Sequence, residues 1–196
     1  MAISNGYCTL IEFKAFNDIG STDTGDDAVI EKIVEAVSRY IDKETLMFFY
    51  ADDAATYVIT PDLAGFLRLP IPLRVVTTLK TDDDGDGTYE NIWATTDYHL
   101  MPLNATEFHW IQTNQNGDYA FPVGVLAGVQ IVGNFGFAAV PSDINLVCMN
   151  IVKNVNGRRE GQGDEAVQIT AAGVVITPKD ISPYDRKVLN QYRRPR

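Results

Sequence analysis

The ten residues from Thr81 to Glu90, TDDDGDGTYE, have the spacing of a metal-binding loop. Asp82, Asp84 and Asp86 alternate, and Gly87 follows, which reproduces the D-x-D-x-D-G first half of an acidic calcium loop. Carboxylates are hard oxygen donors, their alternation lets a loop wrap a cation, and the glycine permits the sharp turn. An EF-hand needs a bidentate Glu at the twelfth position, which here is Trp93; the nearest substitute, Glu90, stands at the ninth. The flanks read as strands rather than helices, so the loop is no EF-hand. Two readings stay open: a solvated Asp/Gly hairpin turn, and an opportunistic calcium site on Asp82, Asp84 and Asp86. No other cofactor is expected.

The remaining reactive side chains do not assemble into a catalytic signature. His99 and His109 lie among aromatics on two expected neighbouring strands, and zinc would want more ligands close by than the nearby Asp97 and Glu107 provide. The five serines (Ser4, Ser21, Ser38, Ser142, Ser182) lie outside any G-x-S-x-G elbow. GRREGQG lacks the G-K-[ST] ending of a phosphate loop. Cys8 and Cys148 sit in apolar stretches and read as buried thiols, with a disulfide or metal role as the lesser alternative. The expectation is a protein without enzymatic activity.

The elements that must carry these residues follow from periodicity. Thr9 opens a short helix with Leu10, Phe13 and Phe16 on one side. From Asp27 to Glu44, Ile30, Ile33, Val34, Val37, Tyr40 and Ile41 recur at helical spacing, with Asp26 or Asp27 capping the start. Residues 55–137 switch to short β-branched and aromatic runs: ATYVIT, GFLRL, RVVTTLK, YENIW, TEFHWIQ and GVQIVG. Turn residues separate them, among them Thr60-Pro61-Asp62, Pro70-Ile71-Pro72 and Asn116-Gly117. A Gly/Phe corner (Gly133, Phe135, Gly136, Phe137) and Pro141 then lead into a helix capped by Ser142. Its apolar stripe is Ile144, Val147, Cys148, Ile151, Val152 and Val155. Beyond a polar loop, AGVVIT reads as one more strand and SPYDRKVLNQYRR as a terminal helix. The predicted class is α+β, a helical bundle from both ends of the chain with an inserted antiparallel β meander or small barrel. The segments are 1–54 (N-terminal helices), 55–137 (β region, with an insertion at about 89–124), 138–160 (bundle helix) and 161–196 (loop, short strand, terminal helix).

The 196 residues are 45% hydrophobic, enough for a sizeable core, and no apolar run approaches the roughly 20 residues of a membrane helix. The N-terminus lacks the layout of a secretory signal, so synthesis in a cytoplasm is expected. The net charge of −10 opposes a general grip on nucleic acid. Its distribution is uneven: residues 183–196 carry five basic side chains against one acid, so this tail is +4 and the other 182 residues carry −14. A basic end on an acidic body suits docking on an acidic partner.

In order along the chain, YCTLIEFKAF, DDAVIEKIVEAVSRYIDKET, LRLPIPLRVVTTLKTDDDGDGTYE, VGNFGFAAVPSDINLVCMNIVKN and SPYDRKVLNQYRRPR resemble the head–tail connector family of tailed bacteriophages, the gp6-like head-completion adaptors. The most specific pieces are the G-x-x-G-F-A-A-V-P-x-D-I corner from Gly133 to Ile144 and the YRRPR ending. The resemblance implies a structural virion protein at the neck, made in the bacterial host. It implies a twelvefold homo-oligomeric ring beneath the portal protein that extends the DNA channel and meets a stopper or tail-completion protein. Double-stranded DNA would pass the acidic lumen without specific binding, and no membrane is involved. Since family members contact the portal through their C-terminal segment, Tyr184, Arg186, Lys187, Leu189, Tyr192, Arg193 and Arg194 are the implied contact residues. The alternative from another class is a calcium-dependent β-rich binding module built on the Asp82–Asp86 loop.

Overall fold

A computed structural model describes residues 4–159 and 180–193. In chain order the elements are α1 (Leu10–Phe16), α2 (Asp27–Thr45), β1 (Ala51–Ile59), β2 (Phe66–Thr81), β3 (Asn91–Ile92), β4 (Tyr98–Met101), β5 (Phe108–Thr113), β6 (Val129–Gly136), α3 (Ser142–Arg159) and α4 (Pro183–Tyr192). The expected strand AGVVIT, most of the polar loop before it, and Arg194 lie outside the described residues. The described chain divides into two compact units, a helical one from both ends (4–49, 140–159 and 180–193) and a sheet unit from 50–139. Among the described residues, no helix is long and apolar enough to cross a membrane.

The helical unit is built on two stripes. Ile30, Ile33, Val34, Val37 and Ile41 of α2 are buried, while Tyr40 is half-buried. All six stripe residues of α3, from Ile144 to Val155, are buried as well. Three- and four-residue spacing places each set on one helix face, and burial of each aliphatic side chain contributes about 1.5–3 kcal/mol. Ser38 falls within the α2 stripe and satisfies its hydroxyl by donating to the Val34 carbonyl at 2.7 Å. Local chemistry sets the ends. Thr9 and Glu12 form a reciprocal capping box at the start of α1. Leu46 terminates α2 in the left-handed region at φ 57°. α3 starts at Ser142 itself, and the Pro141 carbonyl accepts the Asn145 N–H at 2.9 Å, so Ser142 stands inside the first turn rather than ahead of it.

The sheet unit is an open, six-stranded antiparallel sheet in the order β1-β6-β2-β5-β4, with β3 paired to β2. It does not close into a barrel, and the strand order is not that of a simple meander, because β6 inserts between β1 and β2. Leu67, Leu69, Leu73, Leu79, Trp93, Tyr98, Ile111, Phe121, Val129, Ile131 and Phe135 form its core. One sequence expectation is corrected here. Pro70-Ile71-Pro72 is no turn; it lies within β2, which joins the runs read as GFLRL and RVVTTLK into a 16-residue strand. The pairing of β2 with β5 is irregular between Arg68 and Leu73, which is where the two prolines fall. Proline has no N–H to give a ladder and is accommodated at such breaks. Leu73 then pairs with both Phe108 of β5 and Phe135 of β6, so β2 passes from one neighbour to the other there. A further strand, β4, precedes the one read as TEFHWIQ.

Candidate functional site

Two places concentrate charge. The first is the loop from Asp82 to Glu90 in the sheet unit. Asp82 ends the β2 side, with its N–H donating to the Gly128 carbonyl at 2.9 Å. Its carboxylate accepts the N–H groups of Gly85 at 2.7 Å and Gly87 at 2.8 Å. Asp84 accepts the Asp86 N–H at 3.2 Å, and Asp86 accepts that of Thr88 at 2.7 Å. Gly85 and Gly87 stand at φ 80° and 89°, where a Cβ would be strained. Asp82, Asp84 and Asp86 therefore fold the loop back over itself. As a result, one carboxylate oxygen from each of Asp82, Asp84, Asp86 and Glu90 lies within 4.8 Å of the others.

Asp82 is 2% exposed, whereas its three companions are exposed. Burial raises a carboxyl pKa, but the Gly85 and Gly87 N–H donors outweigh that and hold Asp82 below the ordinary value. It therefore stays ionised near neutral pH. An oxygen-donor set of this kind suits a hard divalent cation such as calcium. The sequence reading placed Asp82, Asp84 and Asp86 together; Glu90 completes the set because the turn brings the ninth position back. The twelfth position, Trp93, is elsewhere: it stacks on Phe121 at 4.7 Å in the sheet core and donates from Nε1 to Thr81 Oγ1 at 3.2 Å.

The histidines form no second site. β4 and β5 do pair, but His99 stands opposite Gln112, three positions along β5 from His109. Among the described residues, the Asp82 cluster is the one group of three or more potential metal ligands drawn together.

The second place is α4, in the helical unit. Ser182 and Asp185 form a capping box, and Pro183 occupies the first turn, where its missing N–H is not needed. The helix has two faces. Val188 and Leu189 are buried, Leu189 being 4% exposed. Tyr192 is half-buried; its hydroxyl donates to Asp143 at 3.0 Å, and its ring meets Phe49 edge-on at 5.2 Å. Asp185 is buried and accepts from Asn150 Nδ2 at 3.1 Å. Tyr184 (59% exposed), Arg186, Lys187 and Arg193 face outward. Of the contact residues implied by the resemblance, Leu189 and Tyr192 thus belong to the unit's own packing, while Tyr184, Arg186, Lys187 and Arg193 are exposed. Ile181, Pro183, Arg186, Lys187 and Asn190 line a groove of about 480 Å³ on this face.

The sequence matches no protein-family model and no curated protein. The fold, however, has solved neighbours. One is a chain from the neck of an empty GTA particle computed with C6 symmetry, with a TM-score of 0.58 and 16% identity over 100% of this chain and 94% of that one. A second, from the virion of a native gene transfer agent particle, gives a TM-score of 0.58 at 18% identity, again covering 100% and 94%. A third, from the neck of a native GTA particle computed with C12 symmetry, gives 0.55 at 15% identity and covers 100% and 93%. The α+β architecture is shared end to end with these chains.

Proposed function

We propose that this chain is a non-enzymatic head–tail connector of a phage-like particle, a ring-forming neck protein located between the portal and the stopper or tail. The observation that carries this reading is the fold shared over the full chain with proteins of gene transfer agent necks, one of them computed with C12 symmetry. The sequence motifs that resemble phage adaptors point the same way independently. The charge division supports it: an acidic ring lumen lets duplex DNA slide without adhering, and a basic C-terminal helix pairs with portal carboxylates. A ring interface is heterologous, so each protomer uses two different surfaces and can stay monomeric until templated.

Native mass spectrometry of the chain with and without its cognate portal tests the proposal. A ring stoichiometry, alone or on the portal, is the expected result, and a monomer indifferent to the portal would overturn it. Within that assay, Arg186→Glu, Lys187→Glu and Arg193→Glu together are expected to weaken portal binding by about tenfold or more, since like charges then face each other across the contact. Unchanged affinity would remove α4 from the interface.

The calcium-dependent module is retained as a second reading because four carboxylates converge in one loop. Titration calorimetry with calcium chloride is expected to give a binding isotherm that Asp84→Ala abolishes. Saturation at 100-fold over Kd would stabilise the sheet unit by about 2.7 kcal/mol, visible as a higher melting point that a chelator reverses. No heat and no melting shift would leave the loop a solvated turn.

A further inference from the structure

The segment ahead of α1 is held from several sides in the helical unit. The Tyr7 N–H donates to Ser38 Oγ at 3.0 Å, and the Tyr7 carbonyl accepts from Asn145 Nδ2 at 2.8 Å. The Tyr7 hydroxyl accepts the Phe49 N–H at 2.9 Å and donates to Asp42. These bonds fix the next residue, Cys8, against α3. Its Sγ lies 3.6 Å from the Sγ of Cys148, and Ser38 Oγ stands 3.8 Å from the latter sulfur. Both thiols are free and buried, and 140 positions separate them in sequence.

We propose that Cys8 and Cys148 are a cystine-forming site: a thiol pair, reduced where the chain is made, that closes to a disulfide when a diffusible disulfide oxidant reaches it and so locks the N-terminal segment onto α3. The bond requires a contraction of about 1.5 Å from the present separation to an S–S length near 2.05 Å, which side-chain torsions and a small shift of the segment provide. The step balances as exchange. One protein thiolate attacks the oxidant RSSR and releases RS⁻; the second attacks the mixed disulfide and releases another RS⁻. The protein loses two protons and two electrons, and RSSR is reduced to two RSH. The hydrogen bond with Cys148 and burial both push the Cys8 thiol well above its ordinary pKa. Closure is therefore slow and follows transient opening of the segment, since the thiolate is the nucleophile. A cross-link spanning so long a loop restricts the unfolded chain strongly.

The test uses the full chain equilibrated with mixtures of oxidised and reduced glutathione a few degrees below its melting point, followed by alkylation and intact-mass measurement under denaturing conditions. Expected are a species about 2 Da lighter that takes up no alkylating agent, a Cys8–Cys148 peptide in a non-reduced digest, and a melting midpoint for the helical unit raised by roughly 5–15 °C. Cys148→Ser should yield no internal cross-link. Because that variant also alters packing, the wild-type chain decides. Full alkylation of both thiols under excess oxidised glutathione, a link only between copies, or a link that leaves the midpoint unchanged or lower would each overturn the proposal.

Discussion

Gly133→Ala is expected to disrupt the sheet unit, with a stability loss of about 3 kcal/mol or more. Gly133 lies in β6, opposite Ala55 of β1 on one side and Val76 of β2 on the other. A Cβ at this position would stand 2.2 Å from the Val75 carbonyl oxygen and 3.2 Å from Leu73 Cδ1. The first obstacle is backbone, so no rotamer change relieves it. The strands must separate, and ladder hydrogen bonds and the burial of Leu73 are lost together. Both tryptophans of the chain, Trp93 and Trp110, belong to this unit, so fluorescence during urea unfolding reports on it directly. Gly87→Ala makes an instructive contrast: its Cβ would meet nothing within 4 Å, but φ is +89°. Its cost is the backbone strain alone, about 1 kcal/mol. A Gly133→Ala midpoint within error of wild type would show that β2 and β6 do not approach as closely as described here.

Phe49→Ala carries the second large effect, in the helical unit. Phe49 is fully buried, with the Tyr7 ring edge-on at 5.6 Å and the Tyr192 ring edge-on at 5.2 Å. Truncation removes the transfer energy of the ring, leaves a cavity, and deletes two aromatic pairs, for a combined cost of about 3–5 kcal/mol. The consequence is local, because Tyr192 anchors the end of α4. Hydrogen exchange should therefore accelerate in α4 and in the segment around Tyr7 more than in the middle of α3. Ile11→Ala serves as the control, since Ile11 is 81% exposed and its truncation should stay within about 0.5 kcal/mol of wild type. Uniform loss of protection across the unit, without a lead by α4, would mean that Phe49 holds the whole core rather than α4 in particular.

α2 and α3 were legible from sequence nearly to their boundaries, because helix formation is settled by residues three and four apart and each stripe announces a buried face. α4 was legible as a helix for the same reason, helped by its Ser182 and Pro183 start. Which of its side chains are exposed was not: Tyr184 and Tyr192 are both aromatic, yet one is exposed and the other is held by Phe49 and Asp143. In the sheet, strand composition was readable, but partner choice and continuity were not. Pro70 and Pro72 look like punctuation locally, and only the passage of β2 from β5 to β6 explains why a strand runs through them.

By itself the sequence determined the α+β class, the two long helices, the acidic loop with its three alternating aspartates, and the separation of a basic tail from an acidic body. All of these depend on neighbouring residues or on composition. Tertiary structure alone decided the strand order, the return of Glu90 to the aspartates, the two faces of α4, and the meeting of Cys8 with Cys148. Those are contacts between remote positions, fixed by chain closure and by which apolar faces cover each other, and no short-range periodicity encodes them.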